Sequence, residues 1–269
     1  MGFENRLVVV TGGSRGIGRA TCLVLAKGGY DVAIVYHTMI SSAETVLHEI
    51  ENFGAGAGRA MVFKADISNE ADVKRLFSEI AASFGKEPYG LVNSAGVLGP
   101  KDEMDIVELK KEDMDMVFAT NVYGPFYCCR EFVQRKREIT SNIGQLPLNT
   151  RHGEKSGVHR GGAIVNVSSG MMKLKGHPMF YAMSKGALDS MMVGLSKSLP
   201  QSDGIRINAV APGTTQTDMV SAERAETLKS VIPMGRVAKP EEVAECITFL
   251  LDDKAGYCSG ATLSVTGGR

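Results

Sequence analysis

The chain lacks an excess of charge of either sign. Its 269 residues include 30 Lys and Arg and 30 Asp and Glu, so the formal net charge at pH 7 is zero. Proteins that bind nucleic acids or anionic membranes generally use a positive field, which this composition does not supply. The sequence also has no apolar run that approaches the roughly 20 residues of a membrane-spanning helix. We therefore expect neither a nucleic acid nor a membrane as a partner.

Cysteine is scarce, and its number and spacing argue against a disulfide framework and against a metal site. The five cysteines are odd in number, which does not suit a disulfide framework, and they show no metal-ligand spacing with the histidines. The first residues run directly into an apolar strand, without the basic, apolar and small-residue sections of a secretory leader. These features predict a cytoplasmic protein with reduced cysteines and no metal site.

Short β-branched runs alternate with amphipathic helical stretches along the chain. Such alternation implies right-handed crossovers and a doubly wound, seven-stranded parallel sheet with helices on both faces, which is an α/β fold. No Pro- or Ser-rich linker divides the chain, so we expect a single domain over residues 1–269. Strands are predicted at Leu7 to Val10, Val32 to Tyr36, Met61 to Ala65, Gly90 to Asn93, Ala163 to Val167, Arg206 to Val210 and Thr262 to Val265. Helices are predicted to begin near Gly16 and to span Ala43 to Phe53, Asn69 to Phe84, Met114 to Val133, Met179 to Leu199 and Pro240 to Leu251.

Loops that follow a strand lie at the carboxyl edge of such a sheet, where ligands bind. Residues 134–160 instead join a helix to the fifth strand, and this polar segment is predicted to be a surface loop away from the ligand. An alternative interpretation of its scattered basic residues is a binding patch for an acidic partner. Residues 214–237 follow the sixth strand and are predicted to form a lid on the substrate side.

Tyr181 and Lys185 stand four residues apart in a predicted helix, so the phenol and the ammonium are neighbours on one face. A nearby positive charge favours the phenolate, and we expect Lys185 to lower the tyrosine pKa toward neutrality. Chance is the alternative explanation, but no other tyrosine in the chain has Lys at this spacing. A tyrosine that exchanges protons near neutral pH is suited to general acid–base catalysis.

A glycine-rich run, Thr11 to Gly18, lies between the first strand and the first helix. Glycines at such a turn let the backbone approach a pyrophosphate at the positive end of the helix. The spacing is G-x-x-x-G-x-G, which differs from the common G-x-G-x-x-G dinucleotide fingerprint. The run by itself is therefore weak evidence for a dinucleotide site.

Several motifs in register make the signal specific. They are TGGSRGIG at residues 11–18, NSAG at 93–96, Asn121-Val122, IVNVSS at 164–169, Y-x-x-x-K at 181–185, Pro212-Gly213 and the final LSVTGGR. In order and spacing the chain resembles the short-chain dehydrogenase/reductase family. It is most similar to the compact, single-domain branch that includes 3-ketoacyl-carrier-protein reductases, which have a Rossmann-like fold.

The resemblance implies a role for each member of a catalytic group. Tyr181 would protonate the carbonyl oxygen during reduction or act as the base in the reverse direction, and Lys185 would lower its pKa and hold the nicotinamide ribose. Ser169 would hydrogen-bond the substrate oxygen as charge develops on it. Ser168 is the alternative, because Ser169 stands one residue closer to Tyr181 than is usual in the family. Asn121 would anchor a water beside Lys185, or it is a buried amide bonded to backbone.

The family pattern also implies a nicotinamide dinucleotide. Relatives that prefer NAD place an acidic residue at the end of the second strand, whereas basic residues there or in the glycine loop receive the 2′-phosphate of NADP. This chain has His37 at that strand end, no carboxylate, and Arg15 in the loop, so NADP(H) is favoured over NAD(H). The expected cofactor-binding residues are Gly12, Ser14, Arg15, Gly16, Ile17, Gly18, His37, Asp66, Ile67, Asn93, Ala95, Gly96, Tyr181, Lys185, Pro212, Gly213, Thr215 and Thr217.

The expected activity is hydride transfer between NADP(H) and a ketone or secondary alcohol of small-molecule size. The substrate wall is predicted to be apolar and adaptable, although core packing explains its methionines equally well. The wall residues are Val97, Leu98, Met171, Met172, Lys173, His177, Met179, Phe180 and the segment 214–237. The alternative function is a non-catalytic NADP(H) sensor or scaffold. By resemblance we also expect a homo-oligomer, a tetramer or a dimer.

Overall fold

A computed structural model describes residues 6–99, 106–142, 161–170 and 178–269 of the chain. The strands are β1 (Leu7–Thr11), β2 (Asp31–Tyr36), β3 (Ala60–Lys64), β4 (Gly90–Asn93), β5 (Gly162–Val167), β6 (Ile205–Pro212) and β7 (Thr262–Val265). The helices are α1 (Gly16–Lys27), α2 (Ile40–Glu51), α3 (Glu70–Phe84), α4 (Lys111–Phe118), α5 (Gly124–Asn142), α6 (Met179–Leu195), α7 (Leu199–Asp203), α8 (Ala222–Lys229) and α9 (Pro240–Leu251). A π-helical segment, Ala119–Tyr123, joins α4 to α5, and a 3-10 turn, Asp253–Ala255, follows α9.

All seven strands pair in parallel in one sheet of order β3-β2-β1-β4-β5-β6-β7. The chain moves outward from β1 to β3 and then returns to β4, which pairs with β1 on its other side. The order therefore reverses between β1 and β4, where Thr11 and Asn93 are opposite each other. Parallel sheets with such a switch point bind ligands beyond the carboxyl ends of the strands at that place.

Two apolar clusters cover the two faces of the sheet. Leu7 and Val9 of β1 belong to the cluster that packs against α3, α5 and α6, whereas Val8 and Val10 belong to the one against α1, α2 and α9. Alternate residues of a strand point to opposite faces, so β1 is fully buried, with apolar residues from Leu7 to Val10 and Thr11 at its end. The predicted doubly wound α/β fold is confirmed.

The structure corrects the predicted helix from Met114 to Val133. The π-helical segment interrupts it, and the helical path then continues through Asn142, so residues 134–142 of the expected surface loop are helical. Arg137 pairs with Asp203 of α7 at 2.6 Å, which fixes this last part of α5 to the body of the domain. The sequence pattern did not indicate that contact because its two partners are far apart in the chain. The rest of the loop, residues 143–160, lies outside the described residues.

Helix boundaries elsewhere have local causes. α3 begins after Asn69, whose side chain accepts hydrogen bonds from the N–H groups of Ala71 and Asp72. It ends at Gly85, which adopts the left-handed conformation with φ 68°. The predicted helix from Met179 to Leu199 ends earlier, at Leu195, and the short α7 follows.

Arg206 of β6 stabilises the end of α9. Its guanidinium donates hydrogen bonds to the carbonyls of Leu250 at 2.9 Å, Leu251 at 3.3 Å and Asp252 at 3.2 Å. The last carbonyls of a helix have no partner within the helix, so this side chain supplies donors that the backbone lacks.

We expect Arg206→Met to lower the free energy of unfolding by about 2 kcal/mol, because it leaves part-buried carbonyls without donors. Lys197→Met is the control, since Lys197 is exposed and forms no ion pair with any described residue; its effect should stay within about 0.5 kcal/mol. Urea unfolding followed by circular dichroism measures both changes. Equal unfolding midpoints for Arg206→Met and the unsubstituted protein would contradict the assigned role.

Candidate active site

A cavity of about 1110 Å³ opens at the carboxyl edge of the sheet. Its walls come from the loop between β1 and α1, the ends of β2 and β3, the loops after β4, β5 and β6, and parts of α4, α6 and α8. The cavity therefore lies across the switch point between β1 and β4. It brings together 18 of the residues predicted for the site, while Asn93 and Asn121 lie behind its wall.

The glycine loop is closed so tightly that two of its positions exclude a side chain. A Cβ on Gly18 would lie 2.1 Å from the carbonyl oxygen of Gly12, and a Cβ on Gly12 would lie 2.8 Å from the Cα of Ala95. Gly12 also has φ 65°, in the left-handed region. These contacts bring the start of α1 against the loop after β4. Ser14, Arg15, Gly16 and Ile17 complete this part of the cavity wall.

The first turn of α1 faces the cavity, and no acidic side chain of this turn neutralises the positive end of the helix dipole there. It contains no acidic residue, and no side chain caps the helix. Backbone N–H groups at such a terminus bind phosphate readily, because they lack partners in the helix and the helix dipole adds positive potential. The residues present thus fit the pyrophosphate of a dinucleotide.

Thr11 ties the glycine loop to the loop after β4. Its Oγ1 accepts hydrogen bonds from the N–H groups of Ser94 at 3.1 Å and Ala95 at 3.2 Å. Ala95 and Gly96 consequently line the cavity, as predicted. The motif pattern alone does not indicate this role of Thr11. A hydroxyl at the end of β1 is well placed to orient the loop after the adjacent strand.

Asn93 does not line the cavity, contrary to expectation. Its side chain is 1% exposed, and its Nδ2 donates to Oδ1 of Asn166 at 2.9 Å. The two amides join β4 to β5 inside the sheet. An asparagine buried at the end of a central strand needs such a partner, and Asn166 supplies one for the Asn93 Nδ2.

Asn121 lies in the π-helical segment and is completely buried. Its Oδ1 accepts from the N–H of Val97 at 2.8 Å, and its Nδ2 donates to the carbonyl of Val97 at 2.9 Å and to Oγ of Ser184 at 3.0 Å. It therefore holds the loop after β4 and helix α6 together. A Cβ on Gly96 would lie 3.2 Å from Asn121 Oδ1 and 3.6 Å from Lys185 Nζ, so Gly96 leaves the space between them open.

Ser169, Tyr181 and Lys185 form one group in the cavity wall. The hydroxyls of Ser169 and Tyr181 are hydrogen-bonded. Lys185 is buried, its Nζ donates to the carbonyl of Val167 at 2.7 Å, and it lies 5.5 Å from the centre of the Tyr181 ring. The spacing of four residues in α6 thus places the phenol and the ammonium as neighbours, as predicted.

The geometry distinguishes the two candidate serines. Ser168 also borders the cavity, but its Oγ is buried and has no hydrogen-bond partner among the described residues. Only the Ser169 hydroxyl is bonded to Tyr181. Although Ser169 stands one residue closer to Tyr181 than is usual in the family, it is Ser169 and not Ser168 that pairs with the tyrosine.

The electrostatics of the pair differ from expectation. Burial raises the pKa of the Tyr181 phenol, and the hydrogen bond to Ser169 lowers it by less. Burial also lowers the pKa of Lys185 to about 8, against the opposing effect of Asp189. The predicted net lowering of the Tyr181 pKa by Lys185 is wrong for the protein alone, because removing both groups from water disfavours both charged forms.

The part of the cavity at the ends of β2 and β3, where the adenosine of a dinucleotide is expected, carries one basic side chain and one carboxylate, and Arg15 of the glycine loop borders the same cavity. Arg15 is exposed and forms no ion pair with any described residue. His37 Nε2 lies 3.8 Å from Oδ2 of Asp66. The other oxygen of Asp66 accepts from the N–H of Ser68 at 2.9 Å and from its hydroxyl at 2.7 Å. Ile67 also lines this end, 5% exposed.

The loop after β6 crosses toward the glycine loop. A Cβ on Gly16 would lie 3.2 Å from the Thr217 side chain, and the Thr215 hydroxyl donates to the carbonyl of Gly213 at 3.1 Å. Together with Pro212, these residues line the cavity. The predicted contribution of this loop to the site is therefore present in the geometry.

Some lining residues were not predicted. Met39 follows β2, and Met116, Ala119 and Thr120 project from α4 and the π-helical segment at helical spacing. The sequence pattern located that helix but not the face that it turns to the cavity. Of the predicted substrate wall, Val97 and Leu98 line the cavity and Phe180 is buried in the core. Met171, Met172, Lys173 and His177 lie outside the described residues.

Within the described ranges, no helix combines the length and the apolar character needed to cross a bilayer.

Comparisons with known proteins agree with this geometry. The family described as short chain dehydrogenase matches residues 6–146, and the one described as Enoyl-(Acyl carrier protein) reductase matches residues 141–269. The chain is 41% identical to the uncharacterized oxidoreductase YgfF of Escherichia coli, over 98% of this chain and 99% of the relative. It is 33% identical to the 3-oxoacyl-[acyl-carrier-protein] reductase FabG of Staphylococcus aureus, over 97% and 96% of the two chains.

A solved structure gives the same result at the level of the fold. The crystal structure of a dehydrogenase/reductase from Sinorhizobium meliloti is similar with a TM-score of 0.82 at 30% identity, covering 99% of this chain and 96% of that one. The fold, the glycine loop at the switch point and the Ser-Tyr-Lys group thus coincide with full-length similarity in sequence and structure. The chain belongs to the short-chain dehydrogenase/reductase family of oxidoreductases, in the branch similar to the 3-oxoacyl-[acyl-carrier-protein] reductases.

Proposed function

We propose that the protein is an NADP(H)-dependent oxidoreductase that interconverts a ketone and a secondary alcohol. The observation that carries the proposal is the Ser169–Tyr181 hydroxyl pair, which lies in the cavity wall with the Lys185 ammonium behind it. The same cavity contains the free N-terminus of α1, where a dinucleotide pyrophosphate would bind. The bound nicotinamide would supply the hydride in reduction and accept it in oxidation.

Each side chain of the catalytic group has its own role in the proposed reaction. Tyr181 donates its proton to the carbonyl oxygen, and Ser169 donates a hydrogen bond to the same oxygen as negative charge develops. A raised pKa keeps Tyr181 protonated at neutral pH, which suits the acid role in reduction. Once the proton has left, the Lys185 ammonium stabilises the phenolate. Asn121 positions this group by holding Val97 and Ser184.

The preference for NADP(H) rests on the charges at the adenosine end. Arg15 is exposed, borders the cavity and has no acidic partner among the described residues, so it is available for a 2′-phosphate. His37 occupies the end of β2, where a carboxylate would favour NAD(H). Asp66 is the nearby carboxylate, and one of its oxygens is already bonded to Ser68.

The assembly and the location of the enzyme are part of the proposal. Tyr123, Phe126 and Met183 are between 43% and 51% exposed on the π-helical segment, α5 and α6. A second copy of the chain would bury these exposed apolar side chains, so their exposure supports a homodimer or a homotetramer.

The five cysteines form no disulfide, which fits a cytoplasmic location.

We expect Tyr181→Phe to reduce kcat for ketone reduction by about 10²–10⁴-fold, because it removes the proton donor. The Kd for NADPH, measured by nicotinamide fluorescence, should change by less than about threefold. Tyr257→Phe is the matched control, since Tyr257 is fully exposed and outside the cavity wall. Full turnover in Tyr181→Phe would refute the assigned role.

We expect Arg15→Met to raise the Kd for NADPH by about tenfold or more, because a charge-assisted hydrogen bond to phosphate is lost. The Kd for NADH, which has no 2′-phosphate, should stay the same. Arg19→Met removes a cation that pairs with Glu49 outside the cavity and serves as the control. A parallel loss of affinity for both cofactors would show that Arg15 does not select between them.

We expect kcat/KM for ketone reduction to fall as the pH rises above about 8, the pKa of Lys185. Below that pH the amine is charged and stabilises the phenolate, and above it the amine is neutral. Lys185→Arg, if active, should keep its rate to higher pH because guanidinium does not titrate in this range. Circular dichroism over the same range separates titration from unfolding. A flat profile to pH 9.5 would contradict this role of the amine.

A further inference from the structure

Helix α8 covers the substrate side of the cavity with one charged and one apolar residue. Arg224 and Leu228, one helical turn apart, line the cavity from the same face. The Ser221 hydroxyl accepts a hydrogen bond from the Arg224 N–H at 3.2 Å and so fixes the start of the helix. The position of Arg224 is therefore set by a capped helix.

The other charges of α8 are turned away from the cavity. Lys229 pairs with Glu226, and neither these residues nor Glu223 belongs to the cavity wall. Arg224, in contrast, forms no ion pair with any described residue. Asp218 also borders the cavity, but it is not within ion-pair distance of Arg224. An arginine that faces a cavity without an acid partner is available to a ligand.

Arg224 is separated from His37, the basic residue that follows β2. The loop that leads to α8 leaves β6, whereas His37 follows β2, and three strands lie between them. At about 4.8 Å per strand, the two strand ends are roughly 19 Å apart. Lys185 is the one lysine among the described residues of the cavity wall, and it is buried beside Tyr181. Arg15, the other arginine of the described wall, belongs to the loop after β1, so Arg224 is the cation that α8 contributes to the cavity.

The cavity that Arg224 borders also has apolar lining residues. They include Leu98, Met116, Met219, Val220 and Leu228, beside the polar Thr217 and Asp218 of the loop after β6. An apolar wall with one guanidinium suits a ligand that has an apolar body and a single anionic end, because the guanidinium binds a carboxylate or a phosphate in a bidentate manner. We propose that the substrate is a carbonyl compound with an anionic end, which Arg224 binds. This inference rests on the proposed carbonyl reduction.

The experiment compares ketones that differ only in charge. Pairs of 4-acetylbenzoate and its methyl ester, and of 4-oxopentanoate and its methyl ester, are assayed by NADPH oxidation. In at least one pair, Arg224→Met should raise KM for the acid by about tenfold or more and change KM for the ester by less than about twofold. Arg224→Lys should recover part of the loss. Lys229→Met, which removes a cation from the same helix outside the cavity, is the control.

The outcomes separate the possible roles of Arg224. Equal changes for acid and ester in both pairs would overturn the proposal, and so would a raised Kd for NADPH in Arg224→Met, since the guanidinium would then serve the cofactor. If the unsubstituted enzyme reduces none of these ketones, carbonyl reduction itself lacks support. Anion binding is then tested separately, by the rise in melting temperature that 4-acetylbenzoate gives in the presence of NADPH. A rise that Arg224→Met abolishes supports the anion site, and its absence in the unsubstituted protein refutes it.

Discussion

The whole site depends on a close backbone approach at the switch point of the sheet. Gly18 packs on the carbonyl of Gly12, and Gly12 packs on the backbone of Ala95, at distances that no side chain tolerates. Thr11 adds two hydrogen bonds across the same gap. These contacts join the loops after β1 and β4 and aim the uncapped start of α1 into the cavity. The fit to a phosphate at this place comes from backbone geometry rather than from charged side chains.

The second determinant is the burial of the Tyr181–Lys185 pair. Desolvation moves the pKa of the phenol up and that of the amine down, so the protein alone holds the pair closer to its neutral forms than two isolated side chains would be. In the proposed reduction, a protonated Tyr181 would serve as the proton donor. Lys185 is fixed by the carbonyl of Val167, and in the proposal it acts through its charge.

The cavity divides its charges between two ends. His37 and Asp66 lie where β2 and β3 end, Arg15 lies in the loop after β1, and Arg224 lies on α8 beyond the loop after β6. In the proposed function, Arg15 would select the cofactor by its 2′-phosphate, and Arg224 would select the substrate by its anionic group. The guanidinium groups of Arg15 and Arg224 form no ion pair with an acidic residue in the part of the chain that the structure describes.

The sequence by itself determined the fold class, the seven strands and the pairing of Tyr181 with Lys185, whose catalytic role stays a proposal. Alternating β-branched runs and helical patterns follow from local side-chain periodicity, and the spacing of Tyr181 and Lys185 follows from the helix repeat. The tertiary structure decided what depends on partners distant in the chain. It placed Asn93 and Asn121 behind the cavity wall, continued α5 to Asn142, where Arg137 pairs with Asp203, and reversed the expected shift of the Tyr181 pKa. Burial and long-range contacts set these outcomes, and neither is written in the local pattern of residues.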